Sequence, residues 1–199
     1  MNATLERPAP EKAAERAREM LATLEADPEF ERLAKSCKSY DEAWTDFTGY
    51  ALLDGYDVRK DTDPLFPEAI RAMIIKSAVY ELTDGNEDAA EVAVPVPVDV
   101  MIHALAAQFT VLSRIQERTG IKFVHATDRE SIGAWEPGDY THQVYRAAWG
   151  PVNDRYWLGK DETERRTAIV TKKYERLGIY EAGRRIAPGF ATVADVAAA

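Results

Sequence analysis

The feature that most constrains this fold is an apolar stretch at residues 94–112, VPVPVDVMIHALAAQFTVL, with a single histidine, His103, near its middle. Pro95 and Pro97 stand at alternate positions near its start, a spacing that predicts an extended backbone there, because proline cannot donate a helical hydrogen bond. Over 99–118, apolar residues fall on almost every helical face. The pattern predicts a helix that other helices enclose.

The rest of the chain repeats helical spacing several times. Apolar periodicity and capping patterns predict further helices at 13–24, 28–37, 40–51, 67–82, 139–149 and 161–177. Residues 121–126, IKFVHA, have the apolar and β-branched content of a short strand. We therefore expect a mainly α protein: an irregular helical bundle around a central buried helix at 99–118, with at most a minor strand near 121–126.

Composition favours one helical core with an attached lobe. The 199 residues are 46% apolar, which suffices for one well-buried core. We expect a flexible arm at 1–9, a helical domain at 10–126, and a loop-rich helical lobe with a C-terminal tail at 127–199. The tail, from 187 onward, has too little periodicity for an assignment and is expected to order only against a partner.

The net charge limits the kinds of partner that we expect, and the cysteine content indicates the cellular compartment. A formal net charge of −9 repels phosphate backbones, so nucleic acid is not an expected partner. The single cysteine, Cys37, excludes an internal disulfide and fits a reducing cytoplasm. The N-terminus lacks a signal-peptide pattern, and no window approaches the roughly 18 apolar residues of a membrane span, so we expect a soluble cytoplasmic protein.

The histidines are the obvious candidates for chemistry, but their spacing does not indicate a site. His103, His125 and His142 include no pair at i, i+4, and no Glu-x-x-His pattern occurs. His103 is expected to be a buried side chain that satisfies its own hydrogen bonds. The acidic run 85–91, GNEDAAE, predicts a solvated loop. No catalytic residue, metal ligand or cofactor site of this chain is predicted.

Large aromatic side chains concentrate between residues 135 and 157, on a segment rich in proline and glycine. That composition is common at protein interfaces, although packing of the C-terminal lobe explains it nearly as well. The residues expected to form a pocket or interface are His103, Trp135, Tyr140, His142, Tyr145, Trp149 and Trp157.

Residues 97–125 carry a family resemblance. The run PVDV, the pair AA at 106–107, TVL at 110–112, Ile115 and GIKFVH follow one another in order. This order resembles the C-terminal part of the gamma subunit of soluble methane monooxygenase hydroxylase and related alkane monooxygenases. The resemblance implies a helical, non-catalytic subunit in a hetero-oligomer, packed on larger subunits that carry the di-iron centre.

Three classes of function follow. The expected one is an accessory subunit of a multi-subunit enzyme, such as a di-iron hydrocarbon monooxygenase, that contributes to assembly and stability. The second is a self-contained helical enzyme or ligand sensor with a pocket at His103. The third is a structural protein of a particle or phage. Whether the chain is an enzyme by itself is left open.

Overall fold

A computed structural model describes residues 6–48, 53–126, 128, 134–176, 179–182 and 185–188. For 41–48, 58–59 and 179–188 only the backbone is considered. In these ranges the helices are α1 (Pro10–Glu25), α2 (Phe30–Thr48), α3 (Val58–Leu82), α4 (Glu87–Ala90), α5 (Val96–Ala107), α6 (Phe109–Thr119), α7 (Tyr140–Trp149) and α8 (Lys160–Glu175). The prediction of a mainly α fold is confirmed.

Helix α3 is the most enclosed element of the described structure. All eight residues from 72 to 79 are buried, so every face of these two turns meets another part of the chain. α1, α2 and α5 pack around it, and α7 lies against α1 and α3. Each large apolar side chain buried here contributes about 1.5–3 kcal/mol relative to exposure. The centre of the bundle is therefore α3, whereas the sequence pattern placed it at 99–118.

The predicted single helix at 99–118 is two helices. α5 and α6 meet at Gln108 with a bend of 82°. The bend needs no glycine or proline, because α6 is held elsewhere. Three of its apolar side chains are buried in the core, and Arg114 and Arg118 pair with Glu29 and Asp27 at the turn between α1 and α2, at 2.6 and 2.7 Å. Tertiary contacts thus outweigh the continuous apolar pattern.

Three other helix boundaries differ from the predictions, two of them because prolines are accommodated inside a helix. α5 begins at Val96, with Pro97 in its first turn, where a missing N–H costs no helical bond. α3 begins at Val58 and contains Pro64 and Pro67, instead of starting at Pro67. α2 is continuous through Cys37, after which the sequence predicted a break. The Cys37 side chain is buried, and this burial raises the pKa of its thiol to about 12.

Residues 121–126 are extended but pair with no described strand. Side chains bind their backbone instead: Ile121 N–H donates to Thr119 Oγ1 at 3.3 Å, Phe123 N–H to Gln116 Oε1 at 2.9 Å, and Ala126 N–H to Glu91 Oε2 at 2.9 Å. These bonds replace the ladder that a strand would need. The segment lies along the helices and returns His125 to α5.

Two buried carboxylates join the C-terminal lobe to α3. Asp61 accepts from Arg155 Nε at 2.6 Å and from the Tyr156 hydroxyl at 3.0 Å. Glu68 Oε2 accepts from the Tyr145 hydroxyl at 2.7 Å and from Trp157 Nε1 at 2.8 Å. After α8, β1 (Ile179–Ala182) and β2 (Arg185–Pro188) form an antiparallel hairpin that the sequence did not predict.

The two ends of the chain are only partly described. Of the predicted arm, residues 1–5 lie outside the described residues, as does the tail from 189. Arg7 Nε donates to Ala89 O at 2.9 Å, and Pro8 O accepts from the Tyr140 hydroxyl at 2.9 Å. No single helix in the described ranges is long and apolar enough to cross a membrane; α5 and α6 reach the required length and composition only jointly, across their bend.

Candidate metal centre

Two ligand-type side chains share one face of α5, and a third reaches them from the extended segment. Asp99 and His103 stand at i and i+4, so they lie one turn apart. His125 comes from 121–126, and its ring centroid lies 4.9 Å from that of His103. The fold thus gathers two imidazoles and one carboxylate from parts of the chain 22 residues apart.

The donor atoms of these three residues face one another. His103 Nε2 lies 3.7 Å from Asp99 Oδ2, and His125 Nε2 lies 3.9 Å from Asp99 Oδ1. One donor atom from each residue falls within a set whose members are all within 4.8 Å of one another. Donor atoms around a zinc ion at about 2.0–2.2 Å are about 3.3–3.6 Å apart. A separation of up to 4.8 Å must therefore shorten by about 1.2–1.5 Å, which movements of under about 1 Å in each of two side chains would supply.

Burial differs among the three ligands and leaves one side of the centre near solvent. The His125 side chain is 4% exposed and that of Asp99 13%, whereas 36% of the His103 side chain is exposed. Both Nε2 atoms are shielded from solvent. A cation would therefore reach the set past the His103 ring.

A fully buried lysine lies behind the centre. Lys76 on α3 forms an ion pair with Glu91, whose side chain is 6% exposed. Lys76 Nζ also lies 3.4 Å from His125 Nδ1, and the other Glu91 oxygen accepts from the Ala126 amide. The sequence pattern predicted that Glu91 lies in a solvated acidic loop. In the structure Asn86 caps α4, and Glu91, just after this helix, is buried against Lys76.

The surroundings keep the His125 imidazole neutral. Burial, followed by the charges of Lys76 and His103, lowers the pKa of His125 to about 3. A neutral imidazole is the form that binds metals. Because an ammonium group only donates, Nδ1 accepts from Lys76 and the neutral ring carries its proton on Nε2. A cation at Nε2 would release that proton to solvent, and Lys76 would pass one of its own protons to Nδ1, so that the bound ring stays neutral.

Two imidazoles and a carboxylate are a ligand set for borderline divalent metals. Zinc enzymes often use three protein ligands of this kind and leave the fourth position to water or substrate, and Fe(II) sites can use two histidines and one carboxylate. The three side chains can therefore hold a cation and leave coordination positions open.

The aromatic residues singled out from the sequence form a separate cluster in the C-terminal lobe. Trp135, Tyr145 and Trp157 are buried, and their rings meet edge to face at 4.9–5.3 Å. Tyr145 also contacts Trp149 at 5.2 Å. These contacts support the packing of the lobe; the interface role of the cluster remains a prediction.

The other two candidates from that region lie beside this packing. Tyr140 bonds to Pro8 O and is half-buried, and His142 Nδ1 accepts from the Gly138 amide at 2.8 Å. The His142 ring stands 5.6 Å from that of Trp135. Of the predicted site residues, only His103 belongs to the ligand set.

One local signal in the sequence points to this centre. Asp99 and His103 are an i, i+4 pair on an apolar helix, and a search for pairs of histidines alone overlooks it. The placement of His125 depends on how 121–126 folds back over α5, which no local pattern specifies. Comparison of the chain with protein families, curated proteins and solved structures found no match.

Proposed function

We propose that this chain is a metal-binding protein whose centre consists of Asp99, His103 and His125 and takes a divalent first-row transition metal, with zinc and Fe(II) as the best-fitting ions. The observation that carries the proposal is the set of donor atoms from these residues within 4.8 Å of one another. The sequence alone favoured a chain without a cofactor. The proposal develops the second class of function, an enzyme or ligand sensor at His103.

The charges around the centre suit a divalent cation. Asp99 supplies one negative charge, the two imidazoles supply none, and the adjacent Lys76–Glu91 pair sums to zero. Because binding also releases the proton of His125 Nε2, the divalent ion and these side chains would sum to a net charge of about zero. The ion would keep its open positions, so it could polarise an oxygen of a ligand or bind and activate water. The solvent side at His103 is where such a ligand would enter.

Substitution of the exposed ligand tests this proposal. We expect purified wild-type protein, stripped with a chelator, to bind one equivalent of Co²⁺ or Zn²⁺ in a competition titration against a chelating dye. His103→Ala should weaken binding by more than the roughly 10–100-fold typical of losing an outer hydrogen-bond partner, because it removes a ligand. His142→Ala is the matched control and should bind like wild type. Equal affinity in wild type and His103→Ala would contradict the proposal.

A second candidate function is the accessory-subunit role that the resemblance implies. The observation that favours it is Phe109, a large apolar side chain that is 74% exposed at the bend between α5 and α6, inside the resembling residues 97–125. Ala106 and Ala107 are exposed beside it. A subunit interface there predicts that the chain runs as a larger hetero-oligomer in extracts of its source cells and that Phe109→Ser releases it. A monomer in those extracts would contradict this role.

A further inference from the structure

The Lys76–Glu91 pair is an unusual feature for the centre of a helical bundle. The Lys76 side chain is 0% exposed and that of Glu91 is 6% exposed, so both charges have left water almost completely. Desolvation of such a pair commonly cancels its Coulomb attraction, and apolar replacements are often as stable. The pair is therefore weakly explained by stability, and its contacts indicate another role.

Both members of the pair touch the segment that carries His125. The Glu91 oxygen that does not bind Lys76 accepts from the Ala126 amide at 2.9 Å, which fixes the backbone next to His125. Lys76 Nζ lies 3.4 Å from His125 Nδ1, which fixes the rotation of the ring. With Nδ1 occupied in this way, Nε2 is the nitrogen directed at Asp99.

This arrangement matters because 121–126 has no sheet to hold it. Its backbone is bound by three side chains, of which Glu91 is the one that adjoins His125. Metal-binding histidines depend on such outer contacts, whose loss typically costs 10–100-fold in metal affinity. Usually the outer partner is a carboxylate or a carbonyl that accepts from the ring N–H. Lys76 can accept only as the neutral amine, once it has given Nδ1 a proton and Nε2 has released its own to solvent.

We infer that Glu91 and Lys76 are the positioning residues of the metal centre, holding His125 so that its Nε2 joins Asp99 and His103 although neither residue touches the metal. The inference rests on the proposed function. It explains why an ion pair is placed in the core behind this one residue, and it predicts that metal affinity and fold stability can be separated.

The separating variant is the double substitution Lys76→Met with Glu91→Leu. It removes both buried charges together, so the metal-free protein should stay folded. Its melting temperature should fall only by the loss of the bond to the Ala126 amide, and by less than in Lys76→Met or Glu91→Leu alone. Its Co²⁺ affinity should nevertheless fall about 10–100-fold, with an altered Co²⁺ absorption spectrum. Asp61→Asn is the control, because it neutralises another buried carboxylate, the one that pairs with Arg155. It should lower the melting temperature and leave the Co²⁺ affinity unchanged.

A second readout uses no metal. In nitrogen-edited NMR spectra of the metal-free protein, the ring signals of His125 should shift or broaden in the double variant, while those of His142 should not. Wild-type affinity and spectrum in the double variant, with unmoved His125 signals, would overturn the inference. If wild-type protein binds no Co²⁺, the proposed function fails and the inference falls with it; wild-type Co²⁺ binding with an unaffected double variant overturns the inference alone.

Discussion

His125 and His142 both have a pKa below the usual value for histidine, but the neighbouring groups that lower it differ. Around His125 the causes are burial, then the charges of Lys76 and His103. Around His142 they are burial, then the charge of Arg146, and no metal-ligand group of the described residues gathers about it. Residue type alone therefore does not make a histidine a metal ligand. His125 is a candidate because donor atoms of Asp99 and His103 lie beside it.

The lowered pKa of His125 predicts how stability depends on pH. In the unfolded chain this imidazole titrates near 6.5, and in the folded protein near 3. Between these values the unfolded state binds more protons, so the free energy of unfolding falls as pH falls from 6.5 toward 3. With screening, the slope from this residue is up to about 1 kcal/mol per pH unit.

Urea unfolding of wild type and His125→Gln at pH 5 and pH 7 measures that slope. We expect stability to drop more between pH 7 and pH 5 in wild type than in the variant, since the variant has lost the titrating group. An equal drop in both proteins would show that the folded protein does not hold this imidazole neutral.

The direction of helix α6 depends on contacts with residues that are distant in the sequence. Its own sequence is amphipathic, and the helix ends at Thr119, before Gly120 and one residue beyond the predicted end at 118. Its direction, however, depends on the burial of its apolar face in the core, together with the ion pairs of Arg114 and Arg118 with the turn at 27–29. Helix existence was therefore predictable from periodicity, while the bend at Gln108 was not, because the partners lie more than 80 residues away.

The same reasoning separates the predictable and unpredictable parts of the centre. Asp99 and His103 could be paired from their i, i+4 spacing alone. His125 could not, since 121–126 has strand-like composition but is held by side chains instead of a sheet. The approach of Lys76 from α3 was equally hidden, because a lysine in an apolar helix normally predicts an exposed position.

Removal of the anchor at the α1–α2 turn should destabilise α2 and α6 together. Asp27 Oδ1 accepts from the Glu29 amide at 2.9 Å and, with Oδ2, holds Arg118. Asp27→Ala leaves the Glu29 amide, just before α2, without its acceptor, a loss like that of a helix N-cap, and should lower the free energy of unfolding by about 1 kcal/mol. Glu31→Ala, an exposed acidic residue of the same helix, should change it little. Equal effects in chemical denaturation would contradict this role for Asp27.

For the whole molecule, metal binding and folding stability should be linked. The ligands come from α5 and from 121–126, and Lys76 connects them to α3, so a cation would bridge elements that separate on unfolding. A ligand at 100 times its Kd adds about 2.7 kcal/mol to the stability of the folded state. For a chain of this size that corresponds to a rise in Tm of about 5–10 °C.

Calorimetry with and without Zn²⁺ at that ratio tests the linkage. Wild type should gain the rise in Tm, and the double variant His103→Ala with His125→Ala should gain none at the same Zn²⁺ concentration. A similar gain in both proteins would place the stabilising ion elsewhere on the chain, among its many surface carboxylates.

The most direct measurement of the central claim is a crystal structure of the protein grown with Zn²⁺, with data collected on both sides of the zinc absorption edge. We predict one anomalous peak about 2.0–2.2 Å from a carboxylate oxygen of Asp99 and from Nε2 of His103 and His125. Peaks only at other positions, or none at a concentration that saturates the titration, would contradict the claim that these residues form a metal centre.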